Sequence, residues 1–516
     1  MSQLAARSRD DRPFAVIDIG SNSARMIVFR AREGEHLDVI EDARAPLRLA
    51  RELGDDDRLG TAAIERTLEA LRDFRAVADG AGASRIVAVG TSAIREAVDG
   101  RELVDSAREL GIRIEVIDGD LEARLGFVGA VHDLPVVHGA TMDVGGGTTE
   151  VSRFHDRRLD RSWTLPLGSL KLTDRSLTSD PPTDLEMKDS RKQIRSTLTD
   201  MGIPSLAGAD RLVGIGGTVR NLAKIDLRRT RHPLPILHGY VLAEERVAGI
   251  VADLAALPMK RRAKAPGLNP DRADSIVGGG LIVDAVMRHL GVDRLIVSSR
   301  GLREGVALGG PDVEVPDPAW VRTISVATLA ARFATWDHGA AERRAQLAGR
   351  LFEELVPDAA ASIGEMLQHA AFVLDVGRAL DYYDRFEHAA TVVTAADLAG
   401  FTHRALGILT AILRQADDDT SLGPYARLVP REARPTVLRA ATALSLADEL
   451  NRRIPRGRAA PFSCAWDGER FEVMAPVVPG WKPRGVARRF RAVFGAPLTI
   501  VAVPQVVRGP SLISPD

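Results

Sequence analysis

Two segments of this chain repeat one pattern in one register. FAVIDIGSNSARMIVFR, residues 14–30, is an apolar strand carrying a carboxylate, a small polar turn and a second apolar strand. ATMDVGGGTTEVSRF, residues 140–154, does the same 125 positions later: Asp143 falls on Asp18, Gly145 on Gly20, Thr148 on Ser23 and Phe154 on Phe29. An ionised aspartate in an apolar strand costs free energy unless a cation, a hydrogen-bond donor or solvent meets it. The residues that follow, Gly20, Ser21, Asn22 and Ser23 in one copy and Gly145, Gly146, Gly147, Thr148 and Thr149 in the other, are small and rich in donors, which suits a backbone that must approach an anion. Either segment alone reads as an ordinary hairpin turn. Their recurrence at about the length of one small domain predicts a duplicated lobe, with two carboxylate-bearing phosphate loops facing each other across a cleft.

Composition narrows the class. At 516 residues with 45% hydrophobic content, the chain can form about three or four domains with ordinary buried cores. Its 69 basic and 70 acidic residues balance, so nothing marks a dedicated nucleic-acid-binding protein. The apolar runs are too short and interrupted to cross a bilayer, and MSQLAARSRDDRP lacks a signal-peptide core, which points to the cytoplasm and away from the membrane. One cysteine, Cys464, excludes an intrachain disulfide framework and a cysteine zinc cluster.

Read along the chain, HLDVIEDARAPLRL extends the first hairpin as a third strand, and TAAIERTLEALRDFRAVA has helical periodicity. RIVAVG is a buried strand, a helix covers residues 100–110, IRIEVID (112–118) is a strand, and DLEARLGFVGAV is a helix. The second copy follows the same plan, with strands near 140–166, a helix near 184–200, the strand RLVGI (211–215) and the helix IVADLAAL. It ends near DRLIVSSRGLREGVAL (293–308), and GGPDVEVPDPA (309–319) concentrates turn residues as a linker. Helical patterns then dominate to about residue 455, before a Pro-rich, strand-like tail. The reading is an α/β chain with lobes over 1–135 and 136–311, a helical domain over 320–455 and an α+β tail over 456–516.

Six motifs in order, VIDIGSNSARMIVF, GTSAIREA, IEVIDGDLEARLGFVGA, MDVGGGTTEV, GIGGTVRNLA and SSRGLREGVAL, together resemble the exopolyphosphatase and guanosine pentaphosphate phosphatase (Ppx/GppA) family over roughly residues 14–308, and more weakly beyond. The resemblance implies two ribonuclease-H-like lobes of the sugar-kinase, heat-shock ATPase and actin type, followed by an all-helical domain similar to histidine–aspartate metal phosphohydrolases. It also implies a phosphoanhydride substrate, either inorganic polyphosphate or guanosine pentaphosphate, and a homodimer.

Cleaving a terminal phosphoanhydride needs donors on the phosphoryl oxygens, a cation and a group that orients water. The two loops supply donors. Asp143 and Glu150 lie across a tight hairpin and can reach one divalent ion, magnesium by the hardness of their oxygens, with manganese as a substitute. Alone, Glu150 reads more readily as a solvated strand carboxylate. By resemblance, Asp143 and Glu150 match acidic positions of the family's active site, Glu122 matches the glutamate proposed to activate water, and Arg95 matches an arginine near the transferred phosphate. Taken without the family, Glu122 is a capping-box glutamate and Arg95 a surface arginine. A helix N-terminus is expected to hold Glu122 ionised at neutral pH. Gly216, Gly217 and Thr218 form a third glycine turn, which serves either a nucleotide or anion or simple helix-on-strand packing.

In AAFVLDVGRALDYYDRFEHAATVV (370–393), Leu374-Asp375 stands where the metal fold needs adjacent His-Asp. Leucine cannot ligate a metal, leaving His338, His388 and Asp448 as remnants. The basic runs MKRRAK (259–264) and RGVARRFR (484–491) are charged helix faces or electrostatic contacts for a polyanion. The sequence thus describes a cytoplasmic, magnesium-dependent phosphatase. A polyphosphate or alarmone sensor without turnover and an ATP-dependent kinase of the same lobes are the alternatives.

Overall fold

The apolar runs that read as strands form two sheets of the same plan. The structure, a computed structural model, describes residues 12–32, 36–53, 56–208, 210–417, 421–454, 462–467 and 469–503. It divides into two compact units, residues 1–324 with 399–402, and residues 325–398 with 403–516. In the first unit, strands β1 (Phe14–Ile19), β2 (Ser23–Ala31), β3 (Leu37–Pro46), β4 (Ile86–Gly90) and β5 (Ile114–Val116) make a sheet of order β3-β2-β1-β4-β5. Strands β6 (Gly139–Val144), β7 (Thr149–His155), β8 (Arg158–Leu165), β9 (Arg211–Ile215), β10 (Val241–Ala243) and β11 (Arg294–Val297) make a second, of order β10-β11-β9-β6-β7-β8.

In both sheets the aspartate-bearing strand pairs antiparallel with the next strand and parallel with the one that follows a helix. β1 and β6 are therefore central, which explains why FAVIDI and GATMDV run apolar on both faces. The equivalence extends to the turns: the Gly20 amide donates to the Ser23 carbonyl at 3.2 Å, and the Gly145 amide to the Thr148 carbonyl at 2.9 Å.

Two sequence expectations change. The strand expected over 112–118 is paired only at Ile114–Val116, because Asp118 turns out of the sheet to cap the helix Gly119–His132, accepting from the Leu121 amide at 2.8 Å. The helix Ile276–Leu290 was not anticipated, since GGG lies within it and glycine disfavours helix. Packing supplies the reason: a Cβ on Gly278 would meet Thr173 Oγ1 at 2.5 Å, and one on Gly279 would meet Thr218 at 2.7 Å.

The last helix of each lobe packs on the sheet of the other. Leu125 of helix 119–132 and Leu302 and Val306 of the helix Leu302–Ala307 share a cluster with Phe14, Val16 and Phe29 of the first sheet. Phe127, Val128 and Val131 of helix 119–132 join Phe154, Val213 and Ile215 of the second. Where the two helices cross, their backbones touch. A Cβ on Gly129 would lie 1.9 Å from the Gly301 carbonyl oxygen, and one on Gly305 would lie 2.0 Å from that of Leu125.

The second unit is helical, with helices His338–Leu355, Ala361–Val373, Arg385–Ala395, His403–Ala416 and Arg434–Asn451. A three-stranded sheet follows, β12 (Ser463–Trp466), β13 (Phe471–Ala475) and β14 (Leu498–Ala502), with the helix Arg484–Phe494. Residue 455 of the expected helical domain and residues 456–461, 468 and 504–516 of the expected tail lie outside the described residues.

Gly305→Ala should destabilise the first unit by about 1–3 kcal/mol, the usual cost of overpacking where backbone cannot yield. Gly249→Ala, in the helix Glu244–Ala255 with no atom near the new methyl group, should be neutral or stabilising. Urea denaturation of both variants checks the contrast; equal stabilities would mean that the crossing tolerates separation.

Candidate active site

The two hairpin turns meet at their tips. A Cβ on Gly146 would sit 3.1 Å from the Ser21 Cβ and 3.7 Å from that of Asn22, while one on Gly147 would sit 3.2 Å from Ser92 Oγ. Ser21 and Ser92 share a hydrogen bond of 2.6 Å. Behind this junction lies a cavity of about 130 Å³ lined by both turns, by all three carboxylates Asp18, Asp143 and Glu150 of the hairpins, and by Glu122.

Most residues singled out in the sequence converge here. Asp18, Gly20, Ser21, Asn22, Ser23, Gly145, Gly146 and Thr148 line the cavity. Thr149 does not, because its hydroxyl turns inward to the Leu167 carbonyl at 2.6 Å. Gly147 abuts Ser92 and Ser21 instead of the cavity. In the third turn, Gly216 and Gly217 are lining residues, whereas Thr218 is buried against Gly279, so the turn combines a site role with a packing role. Gly216 has φ +85°, and any Cβ there would fall 2.3 Å from Asp143 Oδ1, so only glycine fits over that carboxylate.

Asp143 and Glu150 are directly paired across β6 and β7. Glu150 is 4% exposed and keeps Oε1 buried with no hydrogen-bond partner. That rules out the solvated-strand reading of Glu150. Burial, then Asp143 beside it, pushes its carboxyl up to about 8, and burial lifts Asp143 to about 6 against the pull of Arg220. An unmet carboxylate oxygen beside a second crowded carboxylate fits a divalent ion that keeps waters in its remaining positions. The compact triads of ligand atoms among the described residues lie elsewhere, at His138, His155 and Asp156 and at Asp381, Asp384 and His388.

Glu122 departs from expectation in two ways. It is the fourth residue of its helix, one past the capping-box position, and Asp118 already caps that helix. The capping role therefore falls away. Nor does the helix terminus lower its carboxyl: burial and the neighbouring Glu150 raise it well above the usual range, with Arg95 opposing. Arg95 is itself corrected. Its guanidinium bonds the Ile117 carbonyl at 2.6 Å and reaches Glu122 at 3.5 Å, and it does not line the cavity. It is placed to orient Glu122, because the helix Ser92–Glu96 directs it to the N-terminus of helix 119–132.

What the sequence reading missed is the cationic wall. Arg25, Arg220, Arg272, Arg300 and Arg303 also line the cavity. Arg25 is paired in register with Asp18. Arg220 holds the Gly216 and Ser299 carbonyls at 3.1 and 3.2 Å. With its amide oxygen turned toward the second lobe, Asn22 accepts from Arg272 at 3.1 Å. Arg303 is 8% exposed, and its Nε is buried without a partner. Burial and mutual repulsion push Arg25 down to about 9 and Arg272 to about 10. Arg220 lay in the quoted GIGGTVRNLA and Arg300 and Arg303 in SSRGLREGVAL; their signal was position within a few residues of a glycine turn. Acids crowded with acids and arginines crowded with arginines suit a cation and a polyanion arriving together.

Residues 27–311 match the model of the Ppx/GppA phosphatase family, and residues 321–473 match that of Ppx/GppA phosphatase domain III. The chain is 32% identical over 315 residues to exopolyphosphatase 2 of Mycobacterium tuberculosis, covering 57% of this chain and 97% of that protein. It is 28% identical over 313 residues to exopolyphosphatase 1 of Mycobacterium leprae, covering 60% of this chain and 92% of that one. A crystal structure of the Aquifex aeolicus member of the Ppx/GppA family superposes with a TM-score of 0.51 at 30% identity, covering 58% of this chain and 96% of that structure.

Because the Glu150 carboxyl is raised from an ordinary 4.5 to about 8, its protonated form favours the fold. In metal-free buffer this contribution is full below about 4.5 and is lost as pH rises through about 8. Thermal melts should therefore drop more between pH 5 and pH 9 for the parent than for Glu150→Gln, and magnesium should reverse the drop in the parent alone. Parallel pH profiles would remove Glu150 from the buried acidic pair.

Proposed function

Because the chain belongs to the Ppx/GppA phosphatase family, we propose that it hydrolyses phosphoanhydrides, removing the terminal phosphate of inorganic polyphosphate, and that guanosine pentaphosphate is a second substrate of the same chemistry. The observation that carries this reading is the shared cavity: two equivalent glycine turns tip to tip, lined together by four carboxylates and five arginines.

The substrate's terminal phosphoryl group sits between the two turns, whose short side chains let backbone amides approach its oxygens. A divalent ion on Asp143 and Glu150, magnesium by ligand chemistry, would supply charge neutralisation and polarise the phosphoryl oxygens. Glu122, held by Arg95, orients the attacking water and takes its proton. The bond from the terminal phosphorus to its bridging oxygen breaks, and the shortened chain leaves as an oxyanion. Arg25, Arg220, Arg272 and Arg303 hold the remaining negative charge, so catalysis rests on positioning and electrostatics more than on base strength. The raised carboxyl of Glu122 makes its carboxylate a stronger proton acceptor than an ordinary glutamate. Among the described residues no helix is long and apolar enough to cross a membrane, which is compatible with action on a cytoplasmic polymer.

A polyphosphate sensor would need the binding groups alone. The buried, unpartnered Glu150 oxygen favours turnover, since it serves a cation and no phosphate.

Glu122→Gln should keep polyphosphate binding and lose about 10²–10⁴-fold in phosphate release, the range for a positioned acid–base group. Asp143→Asn should shift the magnesium activation curve to higher concentration, with partial recovery at saturation. Phosphate release from long-chain polyphosphate measured against magnesium concentration checks both. A Glu122→Gln enzyme turning over at the parent rate would return that residue to a structural role.

A further inference from the structure

The second unit holds a cavity of about 270 Å³ among helices 338–355, 385–395 and 434–451, where the metal-phosphohydrolase resemblance expects a dinuclear centre. Two carboxylates reach it, Asp375 beside Leu374 and Asp448. Of the remaining remnants, His338 meets the rings of Trp336 and Phe372 edge-on, and neither it nor His388 lines the cavity.

The space between the carboxylates is already taken. Arg344, 2% exposed, sends Nη1 to Asp375 at 3.0 Å and to Asp448 at 3.2 Å, and its Nε donates to the Ala371 carbonyl at 2.7 Å. Arg385 closes the other Asp448 oxygen at 2.6 Å. A guanidinium bridging both aspartates repels a divalent ion and uses the oxygens it would need, so the residues present do not fit a metal centre. Leu374 is thus one of two causes of the loss.

What remains is cationic. Five arginines line the cavity against two aspartates; Arg452 is also met by Glu449 at 2.9 Å, outside the lining set. Arg344 Nη2 is buried with no hydrogen-bond partner. Arg378, 40% exposed on its side chain, stands at the rim, 3.7 Å from Asp375. Tyr382 lies beneath the guanidinium groups of Arg378 and Arg385, at 5.5 and 5.1 Å from its ring centre, and holds both without neutralising either. Burying surplus arginine charge with an unmet N–H is costly unless an anion completes it. Planar forks converging on one small cavity suit the tetrahedral oxygens of a phosphoryl group.

We propose that this cavity is a metal-independent phosphoryl-anion site, distinct from the glycine-turn cavity of the first unit. A phosphate chain and the phosphates of a nucleotide share the chemistry it reads.

Hydrogen–deuterium exchange on the full-length protein in EDTA tests this, with inorganic tripolyphosphate in one arm and GTP in another. Sodium chloride at matched ionic strength is the control. Tripolyphosphate should slow exchange in peptides spanning 338–355, 374–386 and 434–451. Arg378→Glu should raise the concentration for half-protection there by about tenfold or more, the loss of one charge-assisted bond turned to repulsion. Protection over 14–31 and 140–155 should persist in that variant. Tyr382→Ala, read the same way, gives a second variant at the rim should Arg378→Glu melt early. Protection by GTP at much lower concentration than tripolyphosphate would assign the source to a nucleotide, and the reverse to a phosphate chain. Protection confined to 14–31 and 140–155, or equal protection by sodium chloride, overturns the site. So would manganese binding that Asp375→Asn abolishes.

Discussion

The contact on which the first unit depends is the backbone crossing of helices 119–132 and 302–307. Gly129 and Gly305 each lack the one atom that would separate the chains, because a Cβ at either would overlap a carbonyl oxygen of the other helix. Through that crossing, each lobe lends its final helix to the other's sheet. The same helices carry Glu122 and Arg303 at their first turns. Their closeness therefore brings both side chains to the one cavity.

The cavity concentrates like charges that separate surfaces would keep apart. Burial raises Glu122, Asp143 and Glu150 together, and lowers Arg25, Arg220 and Arg272 together. Neither set is relieved by the other alone, since Glu150 Oε1 and Arg303 Nε stay unpartnered. Such a wall is held in place by the surrounding fold and is completed by a cation and a polyanion, so binding and electrostatic preorganisation arise from one arrangement.

The helical unit shows the opposite resolution of a similar problem. There Arg344 bridges Asp375 and Asp448 directly, and the cavity around them keeps more arginines than carboxylates. The basic run 259–264 resolves in a third way. Arg262 is buried and spends its guanidinium on the Leu254, Leu257 and Ala273 carbonyls, so it is a structural arginine.

The sequence by itself determined the duplicated hairpins, the central strands, the glycine turns and the carboxylates Asp18, Asp143 and Glu150, because each follows from local pattern: apolar runs, small turn residues and a fixed register. It also put Leu374 where the resemblance to metal phosphohydrolases expects a histidine. Tertiary structure alone decided that Arg95 orients Glu122 instead of lining the cavity, that Thr149 and Thr218 turn into the core, and that Arg25 and Arg272 join the wall. It alone also raised the Glu122 carboxyl, against the lowering that its helix position suggested. These outcomes depend on which side chains distant segments bring within a few ångströms and on how much water they exclude. Neither quantity is written in any one stretch of the chain.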